Sequence, residues 1–476
     1  MRRWSLGGAR AVLISGPTAL AFFTGGYFAA AREWAGLVAW LLVGVALLAG
    51  PRELPRTRAV RAALLGLAMF GAWTLFSTVW APIAGDAWAA GQIVMLYLGG
   101  LLAAVLLLRN RRMLALLEPA AAAGTLIVIG YGLAGRLLPG ILHFARSISA
   151  EGRLEQPLTY WNAMGELAAI GFVLCTRIAG DGSRRSIERA AAASACAPLG
   201  MGLYLSFSRG ALFACVAGLV TIVFASSRRE QLWAVGLAAL TGGLAAAASS
   251  PFGGLTSLSG SLSSREGQGA VVLALLLVLM AAAALASRWL WRPTRAGVLP
   301  LPRHSGWIAL VVICVGLAIA IVVGAKEGGG SKLSPGASRL VSFQSNRYDY
   351  WKVALRAFAS EPIRGVGAGG WAVWWLRDRT IDDNAVDTHS LELQTLAELG
   401  LVGLALLAAW LAGIAFASRD ALRAVPGRAI GPAAGFVVYI AHSPLDWDWQ
   451  MPAVTLVGLL LAGGLLALAE LAAPPR

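Results

Sequence analysis

The sequence predicts an all-α polytopic membrane protein, and three observations carry that prediction. Of its 476 residues 58% are hydrophobic and only 13% are charged, about half the charged share of an ordinary soluble domain. Mean hydropathy is +0.70. Apolar runs of roughly 20 residues, the length a helix needs to cross a bilayer, recur along the whole chain. The 57 glycines and 18 tryptophans fit close-packed membrane helices with interfacial aromatics. This composition excludes a disordered chain, a disulfide-stapled secreted module and an ordinary cytosolic enzyme.

About fourteen spans (twelve to fourteen) are expected. In order they are 11–30, 34–50, 59–80, 88–108, 113–135, 159–178, 189–207, 210–226, 231–249, 269–288, 305–324, 388–417, 428–444 and 450–471. The first run is long enough to span and lacks a convincing cleavage site, so no cleavable signal peptide is expected. Arginine and lysine then orient the spans. With the N-terminus in the cytoplasm, 24 basic residues fall on the inner side and 15 on the outer, nine of the latter in the single long connection 325–387. Long loops escape the positive-inside rule, so the short loops favour an N-in, C-in topology. The net charge of +15 is therefore a topology signal, and nucleic acid is rejected as a partner. Cys175, Cys196, Cys215 and Cys314 lie in or beside apolar stretches without metal-ligand spacing and read as small core residues.

Four segments follow: N-terminal membrane helices (1–200), central membrane helices containing the Arg209 turn (201–324), an extracytoplasmic loop (325–387) and C-terminal membrane helices (388–476). The loop opens on Gly328-Gly329-Gly330. An amphipathic helix follows, with Tyr350, Trp351, Ala354, Leu355 and Phe358 on its apolar face, and it ends at Glu361-Pro362. Gly365 to Gly370 fits G-x-G-x-x-G but has no βαβ frame. It reads as a tight turn that lets backbones approach closely.

Ionisable groups near membrane depth default to functional hypotheses, and here they gather on the outer side. Arg153 precedes the sixth span, close to Asn162 and Glu166. Arg209 sits in the short Ser206–Gly210 turn, and Arg347 begins the amphipathic helix. His389 starts the twelfth span, and His442 and Asp446 stand at the last outer turn. Plainer readings stand beside these: a snorkelling Arg209, a solvated Arg347, an interfacial His389, a structural Arg153, and a capping role for His442 and Asp446. Trp371, Trp374 and Trp375 either stack on sugar rings or dip into the interface.

Forked guanidinium donors recognise phosphate. A histidine at a helix N-terminus is favoured as neutral imidazole, a form suited to general base work. Together they fit attack by a hydroxyl on a diphosphate-activated carbon, with arginines stabilising the leaving diphosphate. The nearest acidic group, Asp382-Asp383 with Asp387, is too sparse for magnesium, so no metal and no cofactor are expected.

Several motifs resemble the O-antigen ligase and O-antigen polymerase superfamily. They are Ser208-Arg209-Gly210-Ala211, Arg347-x-x-x-Trp351, Glu361-Pro362-Ile363-Arg364-Gly365-Val366-Gly367, His389-Ser390-Leu391-Glu392-Leu393 and Glu398-Leu399-Gly400-Leu401-Val402-Gly403. The resemblance spans about 200–403, more weakly 70–170, where Trp73 to Ser77 and Arg153 to Asn162 are similar to earlier family segments. It implies a GT-C-like, inverting, metal-independent glycosyltransferase on the outer face of a bacterial cytoplasmic membrane. The donor it implies is an undecaprenyl-diphosphate-linked glycan, and the acceptor a glycan or lipid-glycan. By this resemblance Arg209 and Arg347 hold the donor diphosphate and His389 activates the acceptor hydroxyl. Arg153, Asn162, Trp351 and Trp371 are expected to contact substrate. His389-Ser390 departs from the family's usual His-Asn step, and the His442 to Trp449 segment has no family role to inherit. Ligase and polymerase stay open. A transporter or flippase of lipid-linked glycan is the alternative from another class, disfavoured by spans nearly free of midplane charge.

Overall fold

The computed structural model describes residues 2–50, 55–145, 147–226, 228–290, 340 and 345–473. Among them the chain is overwhelmingly helical and contains no β-strand. The helices are α1 Arg2–Ala21, α2 Ala29–Ala49, α3 Arg58–Phe76, α4 Ala84–Leu107, α5 Arg111–Leu137, α6 Trp161–Ala179, α7 Ser186–Leu205, α8 Arg209–Ala225, α9 Arg229–Ser249, the single turn α10 Gly253–Thr256 and α11 Leu262–Leu290. They continue with α12 Arg347–Ser360, α13 Gly370–Asp378, α14 Leu391–Ala424, α15 Pro426–His442 and α16 Pro452–Ala472.

Each expected span except 305–324 falls on one of these helices; that span, Cys314 and the glycine triplet 328–330 lie outside the described residues. Among the described residues nine helices are long and apolar enough to cross a membrane: α2 to α6, α9, α11, α14 and α16. The protein is thus an integral membrane protein by the length and composition of its helices. Helix α6 lies at the centre, its apolar window entirely buried, and α16 is nearly as enclosed. The three described cysteines are free and buried in this packing.

Helix α14 shows how the fold handles a broken helix. Gly400 takes φ 66°, ψ −162° and interrupts it, which leaves main-chain groups without intrahelical partners. Buried in protein or membrane, such groups must be satisfied. The Glu361–Gly367 loop does this with its own backbone. Val366 N–H donates to Ala397 O (3.0 Å) and Gly367 N–H to Glu398 O (2.8 Å), while Leu401 N–H and Val402 N–H donate to Pro362 O (2.9 Å) and Ile363 O (3.2 Å). The indole of Trp73 on α3 donates to Leu399 O at 3.0 Å. The G-x-G-x-x-G run is therefore a backbone splice, and Gly365 at φ 71° lies so close to the Glu398 backbone that a side chain there has no room.

Helices α12 and α13 form a cap over the start of α14. The buried stripe of α12 is Tyr350, Val353, Ala354 and Ala357, which follows i, i+3, i+4, i+7. The apolar face expected from sequence is corrected by this: Leu355 is 50% exposed and Trp351 and Phe358 are only partly buried. The cap buries Tyr350 and Ala357 against Trp371, Trp375 and Ala397 instead.

Candidate active site

Four helices begin at one cavity on the side of the cap. Trp161 and Asn162 are the first residues of α6. Arg209 opens α8 after its N-cap Ser208, whose side chain accepts from Ala211 N–H at 3.2 Å. Arg347 opens α12. His389 directly precedes Ser390, the N-cap of α14, which accepts from Leu393 N–H at 3.3 Å. The cavity has a volume of about 300 Å³, and its wall includes Arg153, Asn162, Arg209, Arg347 and His389. Residues as far apart in the chain as Ser149 and His389 are thus brought to one wall. Each helix start contributes the positive end of its dipole, an arrangement that favours an anion.

Local backbone geometry around the cavity is unusual. Glu151, Phe207 and His389 line it with φ of 47°, 48° and 55°, in the left-handed region that side chains other than glycine seldom adopt. Such conformations persist where the surroundings over-determine them, and they cluster at functional sites.

A hydrogen-bonded chain holds Arg347. Its Nη2 donates to Asp446 Oδ2 at 2.6 Å. Asp446 Oδ1 accepts from the Tyr160 hydroxyl at 2.5 Å and from Trp447 N–H at 2.9 Å, and Asn162 Nδ2 donates to the Tyr160 hydroxyl at 2.8 Å. Burial alone drives the Asp446 pKa up, but the Arg347 guanidinium, with help from His389 and His442, outweighs it and holds the carboxyl below its usual range. Asp446 is an ionised anchor that fixes one arm of the Arg347 fork. Its partner lies 99 positions away in sequence, which is why sequence spacing left its role open between function and capping.

His389 is half-buried. Its Nδ1–H donates to the Asp387 carbonyl at 3.1 Å. That bond fixes the tautomer and leaves Nε2 as the proton acceptor. Burial pushes its pKa below the ordinary imidazole value; Asp446 opposes the shift and Arg347 adds to it. The imidazole is accordingly neutral at pH 7. Its ring lies 5.2 Å from that of Tyr350 and 6.2 Å from that of Trp447.

Arg153 is buried and largely committed to its own loop. Nε donates to Ala150 O at 2.8 Å, Nη2 to Ser149 O at 2.7 Å, and the guanidinium lies 3.8 Å over the Trp161 ring. Two expected substrate contacts are placed elsewhere. Trp371 is fully buried in the cap, stacked on Trp375 with centroids 5.6 Å apart, and Trp351 packs edge-on to Tyr348 at 5.6 Å. Neither lies on the cavity wall. Asp383 does, although sequence gave it no role: it accepts from the Tyr350 hydroxyl at 2.5 Å and from Asn346 Nδ2 at 2.8 Å. Its neighbour Asp382 is 99% exposed, and Asp387 is engaged with Gln394 at 3.0 Å.

The fold and the cavity define a class: a helical integral membrane protein in which four helix starts enclose an arginine-lined chamber with a neutral histidine. Comparison with known families sharpens this. The family described as O-antigen ligase matches residues 263–408, so this segment, which carries both Arg347 and His389, is similar to that family. Comparison with curated proteins finds no match.

Proposed function

We propose that the protein is an inverting, metal-independent glycosyltransferase. It moves a glycan from an undecaprenyl-diphosphate carrier to an acceptor hydroxyl at the outer face of the bacterial cytoplasmic membrane. The observation that carries the reading is one cavity at the starts of α6, α8, α12 and α14, whose wall includes Arg153, Arg209, Arg347 and His389.

The donor diphosphate lies among Arg209, Arg347 and the helix N-termini, where forked, permanently charged donors match its oxygens. His389 Nε2 takes the proton of the acceptor hydroxyl as that oxygen attacks the anomeric carbon. The bond from that carbon to the diphosphate oxygen breaks on the opposite face, so the anomeric configuration inverts. The electron pair leaves on undecaprenyl diphosphate, whose developing charge the arginines and helix ends stabilise. Asp446 holds Arg347 in position for this, and Asn162 reaches the same anchor through Tyr160.

The test is a transfer assay with the purified chain in detergent, an undecaprenyl-diphosphate-linked glycan, and EDTA present. Release of undecaprenyl diphosphate by the wild type and not by His389→Ala supports the reading, and product length then separates a polymerase from a ligase. Failure of the wild type with every acceptor class tried sinks it and turns attention to transport of a lipid-linked glycan.

A further inference from the structure

Three ionisable residues that the reaction above does not use meet behind the cavity. Glu166 lies on α6, His442 ends α15, and Asp448 opens the 3-10 turn that leads into α16. Their side chains are 0%, 0% and 2% exposed, and none lines the cavity. One donor atom from each lies within 4.8 Å of the other two. His442 Nδ1 contacts Asp448 Oδ2 directly and lies 3.4 Å from Glu166 Oε2. Both oxygens of Glu166 and Oδ1 of Asp448 are buried without a hydrogen-bond partner. Among the described residues neither carboxylate is paired with an arginine or lysine.

Two carboxylates in a dry interior are costly unless a matching charge accompanies them. With a neutral imidazole the trio carries two negative charges, and three of its four carboxylate oxygens are buried without a hydrogen-bond partner. We propose that Glu166, His442 and Asp448 form a structural site for a divalent transition metal, zinc or manganese in class. One such ion renders the cluster neutral and supplies the missing partners of Glu166 and Asp448. The donor set selects among cations. Calcium takes six to eight oxygens, and magnesium retains several waters, whereas one imidazole nitrogen with carboxylate oxygens suits zinc or manganese. Donors of a tetrahedral site with bonds of about 2.1 Å lie about 3.4 Å apart, which is the Glu166–His442 separation. The His442–Asp448 hydrogen bond of the ion-free site gives way and its two atoms move apart to that same spacing to admit the ion.

The site ties together α6, α15 and the entry to α16. It also braces the cavity from behind: a side chain at Gly210 would come within 2.8 Å of His442 Nε2, so the start of α8, with Arg209, rests against the imidazole. The ion is a fastener there and takes no part in glycan transfer.

The experiment uses the full chain in detergent, stripped by prolonged dialysis against a chelator and then titrated with zinc or manganese. Bound metal per chain is measured by elemental analysis and Tm by differential scanning. The expected result is about one ion per wild-type chain with a rise in Tm. Glu166→Gln and Asp448→Asn are expected to weaken binding by at least about tenfold, a loss of the size seen even when outer-shell partners of a metal are removed. His389→Ala keeps its ion, which separates this site from the cavity. Wild type that holds no stoichiometric ion and shows no Tm rise with either metal overturns the proposal and makes the trio a proton-sharing cluster. Equal metal content in wild type and both variants overturns it too. If the variants do not fold, the wild-type stoichiometry and Tm response decide alone.

Discussion

His389 and His442 stand at the same end of the molecule and meet opposite surroundings. His389 is half-buried on a cavity wall, and its Nδ1–H donates to a main-chain carbonyl. His442 is wholly buried, and its Nδ1 faces two carboxylates. A carbonyl partner can only accept, so it fixes which ring nitrogen carries the proton and adds no full charge. A carboxylate pair draws a cation, whether a proton or a metal. The two imidazoles thus differ in what Nδ1 meets, a main-chain carbonyl at His389 and a pair of carboxylates at His442.

The comparison can be broken first at His389. His389→Ala is expected to lower transfer by about 10²–10⁴-fold, the usual share of a general base, with Tm unchanged. Retention of near wild-type turnover, measured by release of undecaprenyl diphosphate, removes the base assignment. Next come the arginines. Arg209→Lys and Arg347→Lys keep the charge and lose the fork, and each is expected to cost about 10²-fold in kcat; unchanged donor affinity and kcat in both reduce them to structural roles. Asp446→Asn is expected to cost less, about tenfold in transfer. In a double-mutant cycle with Arg347→Lys the two losses should fall short of additivity, because both act through one ion pair. Strict additivity contradicts the anchoring role.

The pH profile sharpens the contrast. Burial depresses the folded pKa of His389, so its neutral form persists below the ordinary value of about 6.5. The acid limb of kcat/KM is expected below that value, and a limb well above it contradicts a depressed base. The same shift makes the His389 contribution to stability present above about pH 6.5 and lost as pH falls through the lower folded value. The smallest effect on chemistry is expected from Trp371→Ala. It should destabilise the cap by about 3–5 kcal/mol while leaving KM for donor unchanged, since the ring does not reach the cavity. A selective rise in KM without loss of Tm restores the sugar-stacking expectation.

The helices were legible because length and hydropathy are local properties. Within the described residues each expected span falls on a helix, with ends displaced by a few residues and by about nine for α1. The gathering of Arg153, Asn162, Arg209, Arg347 and His389 on one wall was suggested by their common position near the starts of elements on one side. Other features were not legible. Asp446 and Asp383 take their meaning from partners 99 and 37 positions away, and no periodicity reports such pairs. Trp371 follows a glycine turn, and an aromatic there reads as well for a stacking platform as for a core. The stripe of α12 was misplaced because Leu355 and Phe358 outweigh the small Ala357 in any hydropathy pattern, although the small residue is the one that lets the cap sit close.

The break at Gly400 has a mechanical consequence. Four main-chain hydrogen bonds weld the 362–367 loop to α14 across that break, and the cap that carries Arg347 hangs from the same loop. The segment that carries Arg347 and the helix that follows His389 are thereby joined by main chain. Asp446 in turn ties Arg347 to Tyr160 beside the start of α6, so the cap is fastened to that wall of the cavity as well.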